Sequence, residues 1–382
     1  MQKTLLFTFV ILAFSCKTKV DDKIINVTSK KVISFDTLLI ERLEVFNIET
    51  SYTGFFSIFN DSLHYIDRRF GWVFTLDTAG KLINQNLGQG EGPWELNTAY
   101  IDGYATLKSG DHFFIGSSFD IHIHDKLYKR KSEYLLGWLG NQDIDKVRES
   151  ELPDPNEFSL YTLDYENLTL RTDARDNLYI PIYCENRRFN AFSSARYYNE
   201  GRILAQLNLR TGKVEQLLGK RSAEYLKFKY LGHHASFSFD IDDHNNFYVS
   251  HEIDSIIYKF DENFHLIKKF GFAGKAMDQN YKQVPEFDLR LLRDAYGNDR
   301  PKRGYYHHIE YFDQQDILFR SYTKGEHTPV DGLQVYKEGA LIADVNVPKG
   351  LVIRGFINPY FYCESILQND ESLFFYRFKL PK

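Results

Sequence analysis

The residues best suited to chemistry are Arg68, His251, Glu252, Arg320, Tyr322 and Glu364. A guanidinium grips carboxylate or phosphate through paired N–H donors, so Arg320 is the expected anion-binding arm. Glu252 and Glu364 can accept hydrogen bonds from ligand hydroxyls, or act as an acid–base pair. Mixed charges of this kind can equally form a self-satisfied ionic plug, because buried charges normally pair.

Other constellations fail on spacing. The histidine pairs His122/His124, His233/His234 and His307/His308 match neither HExxH nor a cysteine–histidine zinc pattern, and no metal or cofactor is expected. Asp240, Asp242, Asp243 and Asn245 begin like a calcium loop, but Asn246-Phe247 leads straight into strand-like sequence, which reads as an Asx turn. There is no G-x-S-x-G elbow. Gly88-Gln89-Gly90-Glu91-Gly92-Pro93 has glycines to cradle a phosphate but lacks the lysine and the following helix.

The elements that position the six candidates come from an internal repeat. WVFTLDTAGKLINQNLGQG (72–90) aligns without a gap on IIYKFDENFHLIKKFGFAG (256–274), and 203–219, 121–140 and 333–350 repeat the scheme. A short aromatic strand precedes each copy, and a sixth, NPYFYCES (358–365), precedes LFFYRFKL. Asn, Asp and Gly supply the turns. Four antiparallel strands repeated six times predict an all-β fold, a six-bladed β-propeller. The last unit runs out of chain after its third strand, and VISFDTLLIERL (32–43) is an unpaired strand pattern near the other end. The prediction is that this N-terminal strand closes the last blade and removes an open sheet edge. Loops after the second strand of each blade then bring the six candidates together at the channel mouth. Two long connections, 141–170 and 275–304, are candidate partner-binding insertions, the second with a short helix around Leu289–Leu292.

The chain opens MQKTLLFTFVILAFSC. Lys3 followed by an apolar run to Phe14 has the length of a signal-peptide core and is too short to span a bilayer. Its end at Ser15-Cys16 resembles a bacterial lipobox, in which the cysteine thiol carries lipid. The expected division is 1–15 signal peptide, 16–31 flexible tether and 32–382 propeller. The partners expected are a membrane through lipid on Cys16, and an envelope protein or small polar ligand. Net charge −5 with interspersed signs argues against nucleic acid. Cys184 and Cys363 fall in opposite blades and should be free thiols.

The φ-x-φ-Asp-x-x-Gly unit, the Gly-x-Gly-x-Gly-Pro exit and the lipobox-like start together resemble NHL- and TolB-like propellers, and above all uncharacterised Bacteroidota propeller lipoproteins with a domain of unknown function. That resemblance implies a lipid-anchored protein of the cell envelope, at the outer membrane, and carries over no activity. The reading is a binding protein using its mouth and insertions. The rival is a metal-assisted hydrolase or lyase in the channel. Whether the chain is an enzyme stays open at this point.

Overall fold

The computed structural model describes residues 25–139, 144–165, 168–228, 230–285, 288–367 and 372–381. Cys16 and the apolar run before it lie outside them. Six sheets form the blades of a β-propeller. Blade one is Gly54–Phe59, Ser62–Asp67, Trp72–Leu76 and Leu82–Leu87, and blade two spans Ile101–Thr106 to Arg130–Leu135. In blade three the inner strand is split into Tyr161–Leu163 and Arg171–Thr172, both paired to Leu178–Cys184. Blade four runs from Phe237–Ile241 to Leu266–Phe270, and blade five from Tyr305–Phe312 to Ala340–Val347.

Blade six has Leu351–Ile357, Tyr360–Ser365 and Phe374–Phe378 from the C-terminal end of the chain, with Ile40–Glu44 as its outer strand. The N-terminal strand pairs antiparallel in the register Ile40↔Phe378 to Glu44↔Phe374. The expected closure of the ring is therefore present, within the range proposed for it.

Closure also binds the residues around that strand. Val27 bridges Lys269 of blade four, Lys30–Lys31 pair parallel with Ala340–Leu341 of blade five, and Phe46 bridges Lys81 of blade one. The segment from Val27 to Phe46 is thus a strap over the rims of four successive blades. The expected tether from Val27 to Lys31 lies in this strap.

Alternating side chains fill the seams between blades. Phe319 of blade five meets Phe361 and Phe378 of blade six edge to face, at 4.8 and 5.7 Å between ring centroids. Such pairs add about 1 kcal/mol each beyond area burial. Cys184 and Cys363 are free and buried, each in its own blade. Blade exits turn on glycine: at Gly271, φ is +140° and a Cβ would stand 2.3 Å from the Ser255 carbonyl oxygen.

A chain starting at residue 47 should be less stable than one starting at residue 17. Leu38, Ile40 and Leu43 are half-buried against the core, and losing them costs roughly 1 kcal/mol each. The exposed Phe374–Phe378 edge should also drive self-association. Guanidinium midpoints and size-exclusion profiles check this, and equal midpoints with both chains monomeric would show that blade six closes without the strap.

Candidate functional site

The channel holds a cavity of about 630 Å³, lined by the inner strands of blades one, two, three, five and six. Its charged lining is Arg68, Arg171 and Arg354 against Asp102, Glu310 and Glu364. Each cation is already engaged. Arg68 donates from Nε to the Ile101 carbonyl at 2.7 Å and from Nη2 to Asp102 at 3.1 Å. Arg354 Nε donates to Glu364 Oε1 at 2.7 Å, while Glu364 Oε2 accepts the Phe56 N–H of blade one at 2.6 Å. Arg171 bonds Asp240 at 3.0 Å and also Glu310, so it joins three successive blades, three, four and five. Burial pushes the Asp240 carboxyl up to about 7 against the pull of Arg171, and burial raises Glu310 too.

Backbone irregularity places two of these six groups, and a histidine beside them. The inner strand of blade two shifts register between Ile101 and Gly103, that of blade five between Tyr306 and His308, and that of blade six between Ile353 and Gly355. The residue left over at each shift is Asp102, His307 or Arg354, and all three line the cavity. A bulge breaks the alternation of faces and re-aims one side chain. Here it sends polar residues to the axis from strands whose regular positions pack into the blade seams.

His307 and Tyr165 also line the cavity, and neither the ring nitrogens of His307 nor the Tyr165 hydroxyl has a hydrogen-bond partner among the described residues. Burial lowers His307 to about 4, so at neutral pH its imidazole is uncharged. A neutral imidazole can donate from one nitrogen and accept at the other.

The six sequence candidates divide. Arg68 and Glu364 reach the cavity. Glu252 is buried and chelated by Arg300, with Nη2–Oε1 at 2.6 Å and Nη1–Oε2 at 3.0 Å, and Arg300 stacks 4.2 Å over Tyr305. His251 packs edge-on to Tyr225, and burial lowers it to about 3. Arg320 is fully buried between blades four and five. It donates to Ser250 Oγ at 2.7 Å, to the Ser255 carbonyl at 2.8 Å and to the Asp254 carbonyl, with its guanidinium 3.2 Å from the Tyr306 ring centroid. Tyr322, also buried, donates to Asp344 at 2.6 Å. Arg320 is therefore not an anion arm at the mouth. Its strand continues to Thr323, so Arg320 and Tyr322 share the strand face that packs on blade four, rather than standing in the following loop.

Sequence reasoning passed over Asp102, Arg171, Glu310 and Arg354, and weighed Asp240 and His307 only as metal ligands. The available signal was a charge inside an otherwise apolar inner strand, as in FSFDI, YYHHIEYF and LVIRGFI.

Two triads of metal-capable groups stand close together among the described residues, and neither lines the cavity. In the first, His233 Nε2 lies 3.0 Å from Asp299, which also accepts from Arg303 Nε at 2.8 Å. Arg300 Nη1 stands 3.3 Å from His234 Nδ1. Two guanidiniums beside the ligand set oppose a cation, and the cluster serves to latch the 275–304 insertion, with its helix Leu289–Asp294, onto the propeller. In the second, Asp242 is occupied by the His244 and Asn246 N–H groups and by Lys259 at 3.1 Å. That is the Asx turn expected from sequence. His122 and His124 are buried, and His122 Nε2 bonds Asp120 at 2.8 Å.

No family model and no curated protein matches the chain. Solved structures do. A putative exported protein from Bacteroides fragilis is 12% identical with a TM-score of 0.54, covering 94% of this chain and 100% of its own. A DUF4221 family member from Bacteroides vulgatus is 10% identical with a TM-score of 0.57, covering 89% and 96%. At these identities the likeness is one of fold, and it is the propeller fold that the repeats imply.

The buried histidines set the acid stability. Burial lowers His112, His124 and His307 to about 4 and His251 to about 3. The unfolded chain binds protons near pH 6.5 and the folded one does not, so stability is full above ~6.5 and drains as pH falls toward ~4. Each histidine contributes up to about 1.4 kcal/mol per pH unit. Carboxyls raised by burial, Asp240 over ~4 to ~7 with Glu310, Asp102 and Asp313, act in the opposite sense, against the four histidines above and His64, His233, His234 and His308, which burial also lowers. Denaturation midpoints should fall between about pH 7 and about pH 5, less steeply in His112→Gln. A flat profile would mean that these imidazoles are not buried neutral.

Proposed function

We propose that this protein is an exported, lipid-anchored propeller of the cell envelope that binds a small, neutral, hydroxyl-rich ligand, of saccharide type, in its central channel. The observation that carries the reading is the charge balance of an open cavity: three cations and three anions line it, already paired to one another. A ligand with net charge would have to displace a paired partner, whereas hydroxyls can both donate to Glu310 or Glu364 and accept from Arg171 or Arg354. The unpartnered neutral imidazole of His307 and the Tyr165 hydroxyl match hydroxyl chemistry in the same way. Because Arg171 and Arg354 occupy the channel carboxylates, metal-assisted hydrolysis draws no support from this site. The apolar run ending at Cys16 supports export and lipidation, and the fold is shared with a protein described as exported.

Saturation-transfer NMR against neutral oligosaccharides, polyols and dicarboxylates tests the site. Neutral saccharides should bind, and His307→Phe should weaken them about tenfold, the worth of one hydrogen bond. Preference for dicarboxylates, or binding indifferent to His307→Phe, would overturn the channel reading. Separately, Cys16→Ala should move the protein from membrane to soluble fractions, and membrane attachment unchanged in that variant would refute the anchor.

A further inference from the structure

The strap brings together a basic and aliphatic surface at the rims of blades four and five. Val27 bridges Lys269, and the Thr28 N–H donates to the Lys269 carbonyl at 2.8 Å. Three residues on, Lys30 and Lys31 pair with Ala340 and Leu341. Lys268 reaches across to the Glu338 carbonyl at 3.2 Å, which joins the two rims into one face. Lys30, Lys31, Lys268 and Lys269 therefore lie along one stretch of rim, Lys268 directed at blade five and Lys269 over the Tyr258 ring of blade four. Among the described residues none of them makes an ion pair, in a protein of net charge −5 whose other basic residues are widely paired. Two turn acids of these blades are Glu338 of blade five, whose backbone carbonyl Lys268 bonds, and Glu262 of blade four, which pairs with Arg175 at 3.0 Å. Interspersed with the lysines are exposed aliphatic side chains, Val27 at 51%, Val32 and Ile33 at 47% and Ile267 at 46%.

We infer that this face, Lys30, Lys31, Lys268 and Lys269 with Val27, Val32, Ile33 and Ile267, rests on an anionic lipid surface and sets the orientation of the propeller at the membrane. Lysine ammonium groups at headgroup level with aliphatic side chains beneath them is the chemistry of an interfacial surface. Position supports the same occupant, in a step that rests on the proposed anchor. Ten residues, 17–26, separate Cys16 from Val27, where the strap begins, and ten residues reach at most about 36 Å. A lipid on Cys16 would hold this rim, rather than either mouth, near the bilayer. The channel axis would then lie along the membrane plane, and both ends of the channel would stay open to solutes.

The test uses a chain beginning at Lys17, which keeps every described strand and lacks both the apolar run and Cys16. Its outcome is therefore independent of lipidation. Sedimentation with phosphatidylcholine vesicles, with and without phosphatidylglycerol, should show binding only to the anionic vesicles. Binding should be lost at about 1 M salt, where the screening length is ~3 Å. Each lysine should be worth roughly fivefold, so reversal of all four to Glu should abolish sedimentation and their replacement by Gln should weaken it on the order of several hundredfold. Reversing Lys126, Lys129, Lys213 and Lys220, exposed on blades two and three and beyond, should leave binding intact. Equal binding to neutral vesicles, no binding at all, or equal loss in the control variant would overturn the proposal. Thermal melts matching the parent chain establish that each variant is folded.

Discussion

Ring closure is the constraint on which this structure depends. A propeller is a set of sheets that each bury both faces against neighbours, so the first and last blades must meet and the last must be complete. The C-terminal end of the chain contributes three strands to blade six, and the fourth, Ile40–Glu44, comes from the far end. Without it the edge of Phe374–Phe378 would be open, and the aromatic seam of Phe319, Phe361 and Phe378 would lose its outer cover. The same pairing fixes the path of the preceding residues over blades four and five, so one sheet edge determines both the closure of the core and the route by which the chain arrives from its N-terminus.

Closure also forces six inner strands to converge on an axis. Regular strands would present alternate side chains there, and the seams between blades already claim the apolar ones. The bulges at Asp102, His307 and Arg354 resolve the conflict, since they break the alternation locally and let the seam keep its hydrophobic residues. Once charges stand on the axis, desolvation requires partners, and the partners come from neighbouring blades: Arg171 from three with Asp240 from four and Glu310 from five, and Glu364 from six with the Phe56 N–H of one. The ionic network of the channel thereby ties blades together as well as lining a cavity.

This explains what could be seen in the sequence. The repeat was legible because turn chemistry and alternation are local: Asp77 and Asp261 start equivalent hairpin turns whatever the rest of the ring does. The orphan strand at 32–43 was legible because a count of strands came out one short. The site was legible only at Arg68 and Glu364. A bulge is a decision about register between two strands, and no period in one strand announces it, so His307 and Arg354 read as ordinary alternating positions. Loop placement failed at Arg320 and Tyr322 for a related reason, because the second strand of blade five, Ile317–Thr323, runs on past the length of its counterpart in blade four, Phe247–His251.

Arg320 shows how one residue type serves two ends in this fold. Its guanidinium is satisfied by two carbonyls, a serine hydroxyl and a tyrosine face, all held by neighbouring strands and turns. Nothing in that set can be exchanged for a ligand without leaving a buried charge unpaired, at a cost of several kcal/mol. Arg354 makes its bonds to a carboxylate at the edge of open space, where a hydroxyl can share Glu364 without stripping the guanidinium bare. Here, then, Arg320, in regular register on a second strand, is a staple between blades, whereas Arg354, on a bulge of an inner strand, faces the channel.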